Sequence, residues 1–362
     1  MKKITILLIL LTSLVAKAQN SAFQVDTLLT SLYKQGKFNG NILIAEKGNI
    51  VFKKEYGLAN ESNRSALNSN SIFELASCSK QFTAAAIMIL ENEGKINIDD
   101  NISKLIPELD FYKGVTIRHL LNHTSGLPDY IKLTDSLWNK EKIATNNDII
   151  QLLKTHKPPV LFKPNEKFEY SNTGYVLLAT IIERASGTAY AKFLLKSIFK
   201  PLKMKRTFVY SSRMHPEKIE NYAVGYVVDK LNHKVLPDSI PEDKMVYYLD
   251  GVQGDGAVHS TVNDLLLWDQ ALYEAKLLSK NALDKMFSPA VLNDGTESPY
   301  GFGWAINSHP KYGKIAAHGG YWPGYMAYIE REIDQNKTFI ILSNLDDATI
   351  PAKIIRTIIN SK

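Results

Sequence analysis

Apolar residues recur at two different periods along this chain, and the changes of period mark its organisation. Near the start, Asn41–Glu46 and Asn49–Lys53 are β-branched runs on either side of Lys47-Gly48, the pattern of a hairpin. Ahead of them, Val25–Lys34 carries an amphipathic helical period. Phe82 to Leu90 is almost wholly apolar, which predicts a buried helix opening at Ser77, running to about Glu93 and ended by Gly94. From there to about residue 250 the pattern is mostly helical. Ile149–Thr155 and Tyr175–Ala185 stand out, the second closed by Gly187, with a loop at Lys157-Pro158-Pro159 between them. A further helix begins near Thr261, with Asp264 in capping position. The end is strand-like again: Met326–Ile333, a turn at Asp334-Gln335-Asn336, Lys337–Ser343, then a closing helix over about 351–359. Strands at both ends with helices between predict an α+β fold, one sheet closed by the two ends of the chain plus a helical insertion. The expected division is an α/β lobe over about 22–80 and 255–362 and a helical lobe over about 81–254.

The first residues change the picture of where the protein works. Met1-Lys2-Lys3, an apolar run from Ile4 to Val15 and Ala16-Lys17-Ala18 have the layout of a secretory signal over residues 1–18. The run is too short for a membrane span, which needs about 20 apolar residues. The expectation is an exported protein, periplasmic or secreted, with no transmembrane span in the mature chain, 19–362. Removing Lys2, Lys3 and Lys17 with that segment lowers the formal charge from +6 to +3. So small an excess, spread along the chain, gives no case for nucleic-acid binding. The single cysteine, Cys78, excludes an intrachain disulfide and has the setting of a packing residue.

Three stretches carry candidate chemistry. Ser77-Cys78-Ser79-Lys80 places a serine and a lysine at i and i+3 of a helix start, where the amine can reach the hydroxyl and act as its base. The spacing recurs at Ser31/Lys34, Ser197/Lys200 and Ser308/Lys311, but among these matches Ser77 alone opens a long apolar helix. Tyr170-Ser171-Asn172 lies in a short polar loop before the helix at Tyr175. A tyrosine beside a lysine can shuttle protons and an asparagine can hold a carbonyl, while a helix cap with a half-buried aromatic explains the same residues. His318-Gly319-Gly320-Tyr321 sits just ahead of the Met326 strand. Its glycines admit close approach of a ligand to the backbone, whose N–H groups can form an oxyanion hole.

In this order the three stretches resemble the motifs of the serine β-lactamase and penicillin-binding-protein superfamily, in particular its class C-like branch: S-x-x-K, then Y-x-N, then K-T-G or H-x-G. Val115 to Pro128, Pro201-Leu202-Lys203-Met204 and Gly254-Asp255-Gly256-Ala257 resemble framework segments of that branch, so the likeness covers about 25 to 345. It implies a β-lactamase/transpeptidase-like fold, an antiparallel sheet flanked by helices with an all-helical lobe. It also implies that Ser77 is acylated and that Lys80 and Tyr170 share the proton traffic, the base in each step being left open. Asn172 would hold the substrate amide, the N–H groups of Ser77 and Tyr321 the oxyanion, and His318 would line the pocket with Gly319 and Gly320. Neither metal nor cofactor is implied. The substrate would be a small molecule or peptide, including peptidoglycan-derived peptides, D-amino-acid peptides, esters or β-lactams.

One departure shapes the expectation. Well-known β-lactamases and cell-wall peptidases carry lysine where this chain has His318, and histidine is largely neutral above about pH 6.5. Weak or absent β-lactamase activity is therefore expected, with amide or ester hydrolysis by a serine hydrolase of the peptidase or esterase kind. The alternative is a penicillin-binding sensor that acylates without turnover. Two rival readings fail on sequence. His318-Gly319-Gly320 as a lipase oxyanion motif needs a G-x-S-x-G elbow, which is missing, and His119 with His123 lacks the glutamate of an H-E-x-x-H metal site.

Overall fold

The computed structural model describes residues 20–346, 348 and 352–360, so the expected signal segment lies outside the described residues. A helix α1 over 20–34 leads into β1 (Gly40–Glu46) and β2 (Asn49–Tyr56). Their turn is tight because Lys47 and Gly48 both take left-handed φ angles, 51° and 76°, as a two-residue hairpin turn demands. A short β3 (Phe73–Glu74) precedes a 3-10 turn over Ala76–Ser79 and α2 (Lys80–Asn92). Then come α3 (Tyr130–Leu137), α4 (Asn146–His156) and α5 (Asn172–Ser186). Next are β4 (Phe208–Val209), β5 (Val258–Ser260) and α6 (Val262–Tyr273). The chain closes with β6 (Ala305–His309), β7 (Gly313–Trp322), β8 (Tyr325–Glu332), β9 (Lys337–Ser343) and α7 (Ala352–Ile359).

The main sheet is antiparallel in the order β6-β7-β8-β9-β1-β2, so the first and last long strands meet inside it, Gly40 opposite Ser343 and Glu46 opposite Lys337. The period of two along these strands sorts two cores. Ile42, Ile44, Phe339 and Ile341 pack with Val25 and Leu29 of α1 and Ile355 of α7. Leu43, Ala45, Ile340 and Leu342 face the other way, into a core shared with Phe82 of α2 and Trp268 of α6. The fold is thus the expected α+β arrangement of an antiparallel sheet with flanking helices.

Two local expectations need correction. The stretch to residue 250 is less helical than its composition suggests: β4 pairs with β5, and Val227–Val228 pairs with Lys234–Val235. Ser77 stands on the 3-10 turn instead of the α-helix, which begins at Lys80. The turn is entered through Ala76 at φ 46°, a strained angle for a residue with a β-carbon. His318-Gly319-Gly320-Tyr321 lies just ahead of the strand that carries Met326, as expected, and is itself strand: all four residues lie in β7 and pair with β8, His318 opposite Ile329. Alternation along β7 still sends His318 and Gly320 inward and Gly319 and Tyr321 outward.

Candidate active site

A 3-10 turn eclipses side chains at i and i+3. That geometry sets Lys80 over Ser77, with Nζ donating to Oγ at 3.0 Å. Lys80 is 0% exposed, and its other two N–H bonds run to Asn172 Oδ1 and the Asp255 carbonyl, both at 2.9 Å. Nζ thus has three hydrogen-bonding partners, and the amine cannot swing away from the serine. The segment Gly254–Val258 runs along this turn as a rail. Thr83 Oγ1 donates to the Gly254 carbonyl at 2.6 Å, and the Val258 N–H donates to Ser79 Oγ at 3.1 Å.

Asn172 opens α5 instead of lying in a loop ahead of it. Its backbone N–H and Nδ2 both donate to Asp129 Oδ2, at 2.8 and 3.1 Å, which fixes the amide with its oxygen towards Lys80 and leaves one Nδ2 hydrogen over. Tyr170 stands two residues earlier, with its ring centroid 5.0 Å from Lys80 Nζ. Its ring lies 4.2 Å from that of His123, and His123 Nδ1 accepts the Ser171 N–H at 3.2 Å. Burial and the Lys80 charge hold the His123 imidazole well below the usual histidine range.

His318 is buried beside the site, and its tautomer follows from its partners. Nδ1–H donates to the Gly319 carbonyl at 2.6 Å, so Nε2 must accept the Tyr300 hydroxyl at 2.7 Å. Burial, with the Lys80 charge second, pushes its pKa down to about 3. At neutral pH this ring is uncharged and both nitrogens are occupied, so it presents no cation to a ligand.

The two glycines of this stretch do different work. A β-carbon on Gly320 would lie 2.2 Å from the Leu75 carbonyl oxygen, whereas one on Gly319 would meet nothing within 4 Å. Gly320 is needed where β7 packs against Leu75, just ahead of the turn carrying Ser77, while Gly319 stands open on the cleft. Gly320→Ala is expected to destabilise by about 1–3 kcal/mol or more through overpacking against backbone. Gly319→Ala should melt within about 0.5 kcal/mol of wild type, as surface substitutions do. Thermal melts of both variants check this, and equal losses would sink the packing argument.

Ser77 sits where two clefts meet. One reaches from Ser77, Asn172 and Tyr321 towards Glu74, Tyr210 and His259. The other is bounded by Ser77, Tyr170, His318, Gly319, Tyr321 and Tyr328, with no lysine or arginine in its wall. Seven of the eight residues expected from sequence line these clefts, and the eighth, Lys80, is buried against Ser77. Four neighbours carried no usable signal: Asp129, Tyr130, Tyr300 and Glu74. Asp255 stood in a framework segment, and its backbone carbonyl, which no side-chain pattern reveals, is what touches Lys80. Cys78 is buried, and burial raises its thiol to about 12, so it packs and does not react. Among the described residues, no group of three or more His, Cys, Asp or Glu side chains is placed to hold a metal ion.

Comparison with known proteins bears on the family and the fold. The Beta-lactamase family model matches residues 25–358. Penicillin-binding protein 4* of Bacillus subtilis (strain 168) is 47% identical over 332 residues, covering 91% of this chain and 73% of that protein. Protein flp of Staphylococcus aureus (strain MRSA252) is 28% identical, covering 92% of this chain but 64% of its own length. Among solved structures, a penicillin binding protein from Bacillus halodurans superposes with a TM-score of 0.78 at 25% identity, over 92% of this chain and 98% of that one. A D-amino acid amidase from Ochrobactrum anthropi SV3, complexed with D-phenylalanine, gives 0.73 at 25% identity over 95% and 97%.

Proposed function

The chain belongs to the beta-lactamase family, and on that footing we propose that it is an exported serine hydrolase that cleaves amides or esters through an acyl-enzyme on Ser77. The observation that carries the reading is the buried Lys80 amine 3.0 Å from the Ser77 hydroxyl, held by two further acceptors. Ser77 Oγ attacks the carbonyl as its proton passes to the Lys80–Tyr170 pair. The backbone N–H groups of Ser77 and Tyr321, which border both clefts, are assigned to the developing oxyanion. The remaining Nδ2 hydrogen of Asn172 is assigned to the substrate's acyl-side carbonyl. Water then releases the acyl group.

The second cleft supports a substrate class. A penicillin or a peptide with a C-terminal D-alanine presents a carboxylate on the leaving-group side, and that wall offers it a neutral, fully bonded His318 and no cation. The leaving group suited to it is uncharged, such as an amine from a simple amide or an alcohol. The structural likeness to a D-amino acid amidase supports the amide reading.

Intact-mass spectrometry after incubation with a fluorophosphonate, a penicillin and a p-nitrophenyl ester, beside Ser77→Ala, tests this. A fluorophosphonate adduct lost in the variant, with ester turnover and no lasting penicillin adduct, is expected. A stable stoichiometric penicillin adduct would replace the hydrolase by a penicillin-binding sensor.

A further inference from the structure

The two clefts at Ser77 divide a substrate in a definite way. A leaving group must take its proton from Tyr170 or Lys80, and Tyr170 borders the His318 cleft and not the other. Asn172, which orients the acyl side, borders the Glu74 cleft. The acyl part of a substrate therefore lies along the wall formed by Glu74, Asp250, Asp255, Tyr210, Tyr222 and His259.

The carboxylates of that wall are not equivalent. Asp250 accepts from Ser211 Oγ and the Arg213 backbone N–H, at 2.6 and 2.8 Å, and pairs with the Arg213 guanidinium at 3.2 Å. Asp255 accepts the Tyr130 hydroxyl at 3.0 Å. Glu74 accepts no hydrogen bond from any described residue. Its nearest basic atom is His259 Nε2 at 4.0 Å. That nitrogen carries no proton, because Nδ1–H donates to the Ala257 carbonyl at 3.2 Å and Nε2 accepts the Tyr222 hydroxyl at 3.3 Å. Burial and the charges of Asp250 and Asp255 outweigh Arg213 and raise the Glu74 carboxyl to about 8. The Glu74 side chain is 16% exposed and opens onto the cleft, so its carboxyl, protonated at neutral pH in the empty site, can give up that proton and hold the charge of a cation placed beside it. Glu74 is three residues before Ser77, so their α-carbons lie at most ~10 Å apart, within reach of one amino-acid residue.

We propose that the Glu74 wing is an ammonium subsite, so that the enzyme prefers amides and esters whose acyl part carries a primary amine over neutral or acidic ones. The proposal rests on the Ser77 hydrolase reading. The amine is either the α-amine of a single amino acid or a terminal amine on a longer acyl chain. The two share their chemistry and differ in reach.

The test compares kcat/KM for p-nitroanilides of D-alanine, N-acetyl-D-alanine, 6-aminohexanoate, hexanoate and succinate, in wild type, Glu74→Gln and Glu74→Asp. At least one amine is expected to exceed its neutral partner by about tenfold or more in wild type, and whichever does so identifies the source. The ratio should fall at least tenfold in Glu74→Gln and persist in Glu74→Asp. A wild-type ratio of one or less, preference for the succinate, or an unchanged ratio in Glu74→Gln would overturn it, and the wild-type arm stands even if a variant fails to fold. If anilides are not turned over, the rate of Ser77 labelling by fluorophosphonate gives the same comparison. Millimolar n-butylammonium should slow labelling more than n-butanol does, and equal protection overturns the subsite. Absence of both labelling and turnover would instead overturn the hydrolase reading, and the subsite with it.

Discussion

Replacing Lys80 by methionine is expected to lower turnover of a p-nitrophenyl ester by about 10²–10⁴-fold, the usual contribution of a positioned base. Fluorophosphonate labelling of Ser77 should slow in parallel, because the same amine activates the hydroxyl in both reactions. Stability should fall too. The Nζ bonds to Asn172 Oδ1 and the Asp255 carbonyl vanish with the amine, leaving buried acceptors at about 1–3 kcal/mol each. Ser77→Ala removes one acceptor from an amine that keeps two, so it should abolish turnover while melting close to wild type. Activity assays and thermal melts on the two variants separate catalysis from support. Retention of activity within tenfold in Lys80→Met would move the base to Tyr170.

The second large effect is in acid. His318 is held neutral down to about pH 3, whereas in the unfolded chain an ordinary histidine protonates near 6.5. As pH falls below 6.5 the unfolded state takes up a proton that the fold refuses, so stability drops by about 1.4 kcal/mol per pH unit. Glutamine at this position cannot protonate. Relative to wild type, His318→Gln should therefore gain about 3 kcal/mol between pH 7 and pH 4, whatever its stability at pH 7. Buried Glu74, Glu330 and Glu332, all raised by desolvation, pull the opposite way in both proteins and cancel in the comparison. Denaturant melts across this range should show the variant's stability rising relative to wild type as the pH falls, and parallel curves would mean the ring charges freely in the fold.

What could be seen in the sequence, and what could not, divides along physical lines. Elements set by local rules were legible: the Lys47-Gly48 hairpin, Gly187 closing α5, and Thr261 capping α6 through the Asp264 N–H. So were side chains whose chemistry depends on a fixed spacing, as with Ser77 and Lys80. Illegible were the groups that tertiary packing alone brings in, such as the Tyr300 hydroxyl on His318 and the Asp129 carboxylate under Asn172. The two glycines of β7 look alike in the sequence although one stands open on the cleft and the other makes room for neighbouring backbone. Only the 2.2 Å approach to Leu75 distinguishes them.

The pairing of β1 with β9 also dictates the order in which the molecule can form. Gly40 must find Ser343 across roughly 300 residues of chain, a closure that costs about 5 kcal/mol of loop entropy before any contact offsets it. Until β9 has left the ribosome, β1 and β8 each present an open edge, and neither half of the sheet has its centre. So high a contact order makes folding slow. A chain shortened by even its last strand should remain an aggregation-prone intermediate instead of a smaller enzyme.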